Sequence, residues 1–180
     1  TFDWYKSTSE DLLYSVAVPA EAGATNATVT MNAATMENSG YEFLLAYHNR
    51  KYAVKYDISA NLSTLKNEVT KLGVSNEPRT DGNSRTEVGR EIGEFYGYVY
   101  EGIFQSQPEI DNRVNSLGQH INQPGAQPGD VAYADIAGAF DADGNPIPDG
   151  EITNADRKFL GSGIPNILYG FNISVEWNGF

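Results

Sequence analysis

The 180-residue sequence contains no cysteine and only two histidines. Without cysteine, the chain forms neither disulfide bonds nor thiolate metal sites. Basic residues are scarce too, since 12 lysines and arginines stand against 24 aspartates and glutamates and leave a net charge of -12. Such an acidic surface disfavours phosphate-rich ligands, so nucleic acid is not an expected partner. No apolar run approaches the about 20 residues that a membrane-spanning helix needs.

The residues that are abundant favour β structure. Eighteen glycines and eleven tyrosines accompany many Asn, Ser and Thr residues, a composition that suits an extracytoplasmic β protein. The residues after Thr1 do not show the charged and apolar regions of a signal peptide. We therefore expect either a removed signal or an internal piece of a longer chain.

The clearest periodicity is a two-residue alternation between apolar and polar side chains. It is strongest in segments 52–62 and 167–178, shorter in 41–48, and cut off at its start in 2–5. In the first of these, one face would carry Tyr52, Val54, Tyr56, Ile58, Ala60 and Leu62, and the other would carry Ala53, Lys55, Asp57, Ser59 and Asn61. The sequence thus predicts four strands, with loops at Leu12–Asn38 and Leu65–Pro165.

Such strands suit either the core of a β-sandwich or a wall that faces lipid, and three features favour the wall. Strands of about 11 residues, tilted by about 45°, would span about 25 Å, the height of an outer-membrane barrel's apolar band. Residues 49–50 and 178–179 form short turns at one end, whereas long loops join the other ends. Tyr47, Tyr52 and Trp177 flank the short turns, where an aromatic girdle would lie.

Five stretches in order cover most of the chain: EDLLYSVAVPAEAG, ENSGYEFLLAYHNRKYAVKYDISANLSTLKNEVTKLG, VGREIGEFYGYVYEGIFQS, AQPGDVAYADI and DGEITNADRKFLGSGIPNILYGFNISVEWNGF. Together they resemble the C-terminal barrel region of the SusC/RagA family of TonB-linked outer-membrane transporters. The third and fifth stretches are the most specific part of this resemblance.

The resemblance implies an all-β fold, in which the chain supplies about four antiparallel strands of a 22-stranded transmembrane β-barrel. Residues 1–180 would be part of one TonB-dependent receptor barrel domain, and residues 65–165 a large extracellular loop excursion. It also implies a bacterial outer-membrane importer of Bacteroidetes that takes up oligosaccharides or peptides. The implied partners are outer-membrane lipid, a SusD-like surface lipoprotein as lid, and TonB, contacted through an N-terminal part absent from this chain.

A different class of protein remains open from the residues alone. A soluble, secreted β-sandwich that binds glycans with the help of calcium would also contain alternating strands and an acidic loop. In that case Tyr56, Ile58, Phe171 and Ile173 would be packed inside a closed core.

Residues 141–157, DADGNPIPDGEITNADR, are similar to part of an EF-hand loop. Asp149 and Asp156 would bind Ca²⁺ through their side chains and Glu151 through its carbonyl, with Gly150 at the sharp bend. Prolines separate this half of the loop from three further candidate ligands, Asp141, Asp143 and Asn145. We expect a structural calcium ion here, and the alternative is a solvated turn.

Three tyrosines alternate in the segment EFYGYVYEGIFQ: Tyr96, Tyr98 and Tyr100. They could contact a ligand or a partner protein, or they could pack the excursion into a small folded lobe. No catalytic residues are predicted, because neither His48 nor His120 has a nucleophile placed to use it. The chain is therefore not expected to be an enzyme.

Overall fold

The computed structural model of the chain describes residues 1–17 and 28–177. Two compact units emerge, which we call the strand unit (Thr1–Arg79, Arg85–Gly93 and Ser162–Phe180) and the excursion unit (Thr80–Ser84 and Glu94–Gly161). Strands dominate the described ranges, and the α-helix α1 (Gln107–Asp111) has five residues. No helix of this part of the chain has the length and apolar character required to cross a membrane.

The strand unit is built on one antiparallel sheet. Its strands are β1 (Phe2–Ala17), β2 (Thr28–Asn49), β3 (Val54–Thr64), β4 (Lys66–Leu72) and β13 (Ile167–Trp177). The order in the sheet is β1-β2-β3-β13, and β4 also pairs with β2. One edge of β2 pairs with β1, and the other edge pairs with β3 and then with β4. β2 is therefore the central strand of this sheet.

The predicted loop Leu12–Asn38 is wrong wherever the structure describes it, because β1 continues to Ala17 and β2 begins at Thr28. In these strand extensions, β1 has the mostly apolar sequence LLYSVA, and β2 has the mixed sequence TVTMNAATMEN. Apolar residues stand next to each other at Leu12–Leu13 and at Ala33–Ala34, which interrupts the alternation, so the sequence pattern did not reveal these strand extensions.

The two-residue turn predicted at residues 49–50 is also wrong. β2 ends at Asn49 and β3 begins only at Val54, so residues 50–53 form the connection. The Asn49 side chain accepts a hydrogen bond from the Lys51 backbone N–H at 3.0 Å, which stabilises a wider turn. The second predicted turn, residues 178–179, lies outside the described residues.

The segment predicted as one long loop, residues 65–165, is divided between the two units. β4 pairs with β2, and residues 85–93 belong with the strand unit as well. A small apolar core forms here from Ala34, Val69 and Leu72, against which Leu12 and Val88 pack.

The excursion unit is held by short antiparallel pairings. β7 (Glu94–Tyr98) pairs with β12 (Arg157–Gly161), β8 (Tyr100–Ile103) with β9 (Val131–Tyr133), and β10 (Gly138–Phe140) with β11 (Pro146–Pro148). The strands β5 (Arg79–Asp81) and β6 (Ser84–Thr86) extend the sheet of β12 and β7 in the order β12-β7-β6-β5. A short 3₁₀ helix, Asn154–Asp156, precedes β12.

A close backbone approach at Gly40 lies where β3 gives way to β4. A Cβ atom on Gly40 would be 1.9 Å from the Thr64 carbonyl oxygen and 2.8 Å from the Tyr5 hydroxyl. The Thr64 hydroxyl accepts a hydrogen bond from the Tyr41 N–H at 2.9 Å, and the Leu65 N–H donates to the Asn166 carbonyl. Only glycine fits between these strands, because the obstacle is backbone rather than a movable side chain.

Replacing Gly40 with alanine should therefore destabilise the sheet by about 3 kcal/mol or more, since the added methyl forces the backbones apart. The measurement is thermal unfolding of the natural full-length polypeptide that carries this chain, followed by circular dichroism. Gly102→Ala is the control, because a Cβ there has no heavy atom within 4 Å. Equal melting temperatures for the two variants would contradict the argument.

Candidate functional site

One face of the strand-unit sheet forms a continuous apolar surface. Residues directly opposite each other point to the same face, and they match along the sheet: Tyr47 lies opposite Ile58, and Ile58 lies opposite Ile173. We call this surface the apolar band, and it comprises Phe2, Trp4, Tyr41, Phe43, Leu45, Tyr47, Val54, Tyr56, Ile58, Ala60, Leu62, Ile167, Tyr169, Phe171, Ile173, Val175 and Trp177.

The apolar band is open rather than packed. Phe171 is 66% exposed and Ile173 is 55% exposed, while Tyr56 and Ile58 are half-buried. Within the described residues these four side chains do not form the closed core that a β-sandwich requires. A contiguous exposed apolar surface on this scale is typical of a contact with lipid or with another protein.

The opposite face of the same strands is mostly polar and carries charged pairs, with Leu44 and Leu168 as exposed apolar exceptions. Lys55 donates to Glu176 at 2.7 Å, and Asp57 accepts from His48 and Arg50 at 2.7 and 2.6 Å. Lys55 lies opposite Glu176 in the register, whereas its neighbour Val54 lies opposite Trp177. The predicted alternation along β3 is thus confirmed.

The acidic segment begins with a hairpin turn that Asp141 organises. One oxygen of its carboxylate accepts from the backbone N–H groups of Asp143 and Asn145, at 3.0 and 2.8 Å, and the other accepts from the Asn145 amide at 3.0 Å. The Asn145 side chain, followed by its backbone N–H, holds the pKa of Asp141 below the ordinary value of 3.8. Residues 141–145 therefore form a turn between β10 and β11 that is stabilised by its own first carboxylate.

Asp135 organises the next part of the segment and was not predicted from the sequence. Its two carboxylate oxygens accept from the backbone N–H groups of Asp149 and Gly150, at 3.2 and 2.8 Å. Asp149 in turn accepts from the Glu151 N–H at 2.9 Å, and the Glu151 side chain is exposed. Asp135 lies outside residues 141–157, and no local spacing connects it to Asp149 and Gly150, which are 14 and 15 positions further along the chain.

Asp156 is fully buried, with no exposed surface. One of its oxygens accepts from the N–H groups of Ile136 and Ala137, at 2.8 and 3.1 Å, and the other accepts from the Thr153 N–H at 2.8 Å. A buried carboxylate is tolerated when several donors surround it, because these replace the lost hydration. Asp156 therefore joins the chain before β10 to the 3₁₀ helix before β12.

The structure distributes the six predicted ligands over three places: the 141–145 turn, the bend at Asp149 and Glu151, and the buried position of Asp156. In the described part of the chain, no group of three or more His, Asp or Glu residues is arranged to hold a metal ion. The carboxylates of Asp141, Asp149 and Asp156 all accept N–H groups instead. The calcium site stays a prediction.

The predicted tyrosines have different environments. The Tyr96 ring contacts Phe159 at 5.2 Å between centroids and lies 5.0 Å from the Arg157 guanidinium. The Tyr98 ring lies 4.9 Å from that of Tyr133 and its hydroxyl donates to Asn154 at 3.4 Å, whereas Tyr100 is 63% exposed. Tyr96 and Tyr98 also line an open cavity of about 590 Å³ within the excursion unit. Packing within the excursion unit thus accounts for Tyr96 and Tyr98.

Comparison with known proteins relates the whole chain to one class. No protein-family model matches. TonB-dependent receptor P3 of Formosa agariphila is 30% identical over 190 residues, which cover 100% of this chain and 17% of the receptor. TonB-dependent receptor P39 of the same organism is 27% identical over 99% of the chain and 19% of its own length. The chain thus spans less than a fifth of the curated relatives it matches.

Solved structures have the same fold. The RagAB peptide importer in its closed-closed state matches with a TM-score of 0.65 and 22% identity, over 98% of this chain and 17% of that one. A second structure, of the RagAB peptide transporter, matches with a TM-score of 0.65 and 23% identity over 99% and 17%. The all-β chain is thus similar, over its whole length, to a part of TonB-dependent receptors. Its resemblance to the SusC/RagA type, expected from the sequence, is confirmed.

Lowering the pH should loosen the 141–145 turn. Because the folded-state pKa of Asp141 is lowered, its hydrogen bonds contribute fully above pH 3.8 and are lost as the pH falls through the folded value. Hydrogen exchange read by mass spectrometry should show declining protection of this turn in acid. In an Asp141→Asn variant the decline should be absent, and an equal decline in both proteins would exclude Asp141 as its cause.

Replacing Asp156 with alanine should destabilise the excursion unit locally. Three partly buried N–H groups would lose their acceptor, at a cost of up to about 1–3 kcal/mol for each group that water does not reach. The measurement is hydrogen exchange at residues 136–137 and 153, together with proteolysis of residues 94–161. Asp143→Ala, at an exposed position, is the control. Unchanged protection in the Asp156 variant would contradict the assigned role.

Proposed function

We propose that the chain is part of a TonB-dependent importer of the bacterial outer membrane, and that its strand unit is a section of the transmembrane barrel wall. The observation that carries this proposal is the apolar band: adjacent strands expose one apolar face while their other face is charged. Lipid requires that arrangement, because charged side chains on the lipid-facing surface are costly and every backbone group must be paired.

The dimensions of the apolar band support the same role. β3 and β13 pair over 11 residues each, which at about 3.3 Å per residue and a tilt of about 45° corresponds to about 25 Å of membrane thickness. Trp4 and Tyr41 lie at one end of the band, and Tyr47 and Trp177 lie near the other. Aromatic side chains at both ends suit the two membrane interfaces.

In this proposal the charged face, with Lys55, Asp57 and Glu176, looks into the lumen of a larger 22-stranded barrel. The excursion unit is extracellular, and a SusD-like surface lipoprotein covers the importer. The substrate is an oligosaccharide or a peptide, and TonB acts through parts of the receptor that lie outside these 180 residues. The related RagAB complex is named as a peptide importer, which supports a peptide for this chain as well.

The chain's own contribution to import is non-covalent. The strand unit forms part of the barrel wall, and the excursion unit exposes Tyr100 and the tyrosine-lined cavity to solvent. The matched proteins are named as receptors and importers rather than enzymes. The runner-up, a secreted β-sandwich that binds glycans with calcium, is disfavoured because Phe171 and Ile173 are exposed.

We also retain a structural calcium ion at residues 141–156 as a proposal. What supports it is the local charge, because Asp141, Asp143, Asp149, Glu151 and Asp156 lie within one short segment and repel one another without a counterion. Calorimetric titration of chelator-treated protein should detect heat that an Asp149→Ala, Asp156→Ala double variant lacks. Equal heats, or no protection of this segment from protease on adding calcium, would leave a solvated turn.

The membrane-facing role is tested by placing a lysine on either face of β13. Ile173→Lys places a charge in the middle of the apolar band and should cost about 2–4 kcal/mol of stability in the membrane. Ser174→Lys, one residue further, places the same charge on the polar face and should be tolerated. The measurement is the amount of folded protein in the outer-membrane fraction of cells that express the full-length polypeptide. Equal loss from both variants, or a soluble parent protein, would contradict the proposal.

A further inference from the structure

The sheet face that carries the apolar band changes from apolar to charged and polar side chains at one end. Trp4 and Tyr41 lie opposite each other in the last apolar row. Two residues further along the strands, Lys6 lies opposite Ser39, and Ser39 lies opposite Lys66 on its other side. Opposed residues of antiparallel strands point to the same face. Two lysines and a hydroxyl therefore border the apolar band directly.

A glutamate positions each of these lysines. The Lys6 ammonium lies 2.8 Å from the Glu37 carboxylate, and the Lys66 ammonium lies 2.5 Å from the Glu68 carboxylate. Glu37 and Glu68 are themselves opposite each other in the next row of the sheet. The lysine side chains remain open, at 49% and 72% exposure. An ammonium group has three N–H donors, so each lysine keeps donors for a second acceptor.

We propose that Lys6, Ser39 and Lys66 bind the phosphate of an anionic membrane-lipid headgroup; this rests on the proposed function, in which the apolar band faces lipid. Neighbouring strands are about 4.8 Å apart, so the two lysine backbones stand about 10 Å apart across β2. Side chains of that length can converge on one phosphate, and the Ser39 hydroxyl between them adds a donor. Charge-assisted bonds of this kind are among the stronger ones available at a surface.

The surroundings favour a lipid phosphate over a free one. The chain has a net charge of -12, and Glu37 and Glu68 balance the two lysines locally, so a small free anion gains little by binding here. A lipid adds acyl chains, which lie on the apolar band immediately beyond Trp4 and Tyr41. Its phosphate then sits at the level of the charged row, because the headgroup begins where the hydrocarbon ends.

The test uses the natural full-length polypeptide in a neutral detergent, titrated with phosphatidylglycerol, with diacylglycerol of the same chains, and with inorganic phosphate. Bound lipid is counted by native mass spectrometry and stability by the melting temperature. Phosphatidylglycerol should bind more tightly than diacylglycerol. A Lys6→Gln, Lys66→Gln variant should lose roughly five-fold in affinity per lysine. The control is the double variant Lys71→Gln, Lys158→Gln, which removes the same total charge elsewhere. Lys71 lies about 16 Å from Lys66 along β4, and Lys158 lies in the excursion unit.

Three results would overturn the inference: equal binding of phosphatidylglycerol and diacylglycerol, equal losses in the double variant and the control, or stabilisation by inorganic phosphate that matches that of the lipid. The last would indicate a free-anion site. Both substitutions keep side chains of similar length, so the double variant should fold normally. Circular dichroism of the double variant checks this. If the protein enters the outer membrane but binds lipids with and without a phosphate equally, this inference alone is refuted. If the protein is absent from that membrane, the proposed function is refuted.

Discussion

The pairing of β2 with its neighbours is the constraint on which the strand unit depends. β2 pairs with β1 along one edge and with β3 and β4 along the other, so its hydrogen bonds set the register of three strands at once. Register decides which side chains share a face, because a slip of one residue would turn every apolar side chain of a strand to the opposite side. The apolar band and the charged face across from it are therefore two results of one backbone arrangement.

The same sheet also contains the point at which its partners change. At Gly40 the Thr64 carbonyl comes so close that no Cβ fits, and the chain passes from β3 to β4 beside it. This break coincides with the end of the apolar band, since Trp4 and Tyr41 form the last apolar row and Lys6 and Lys66 follow. Backbone geometry and surface chemistry thus change together, which gives the wall a defined border where, in our proposal, hydrocarbon gives way to headgroups.

Carboxylates organise the excursion unit beside a small set of buried apolar residues that includes Phe104 and Ile121. Asp156, Asp135 and Asp141 each accept backbone N–H groups from chain segments that would otherwise have no regular partner. A segment with short strands needs such acceptors, because unpaired buried N–H groups are costly. The acidity that suggests a metal loop therefore has a structural use in this chain.

The sequence by itself determined the all-β class, the faces of β3 and β13 and the resemblance to TonB-dependent receptors, because alternation and family motifs are local properties of the chain. Tertiary structure alone decided the remainder. β1 and β2 extend past the apolar band, where adjacent apolar residues such as Leu12 and Leu13 interrupt the alternation that marks a strand. Asp135 acts on residues 14 and 15 positions away, and Lys6 meets the row of Lys66 only through β2. These relations depend on register between distant segments, which backbone pairing sets and no local pattern encodes.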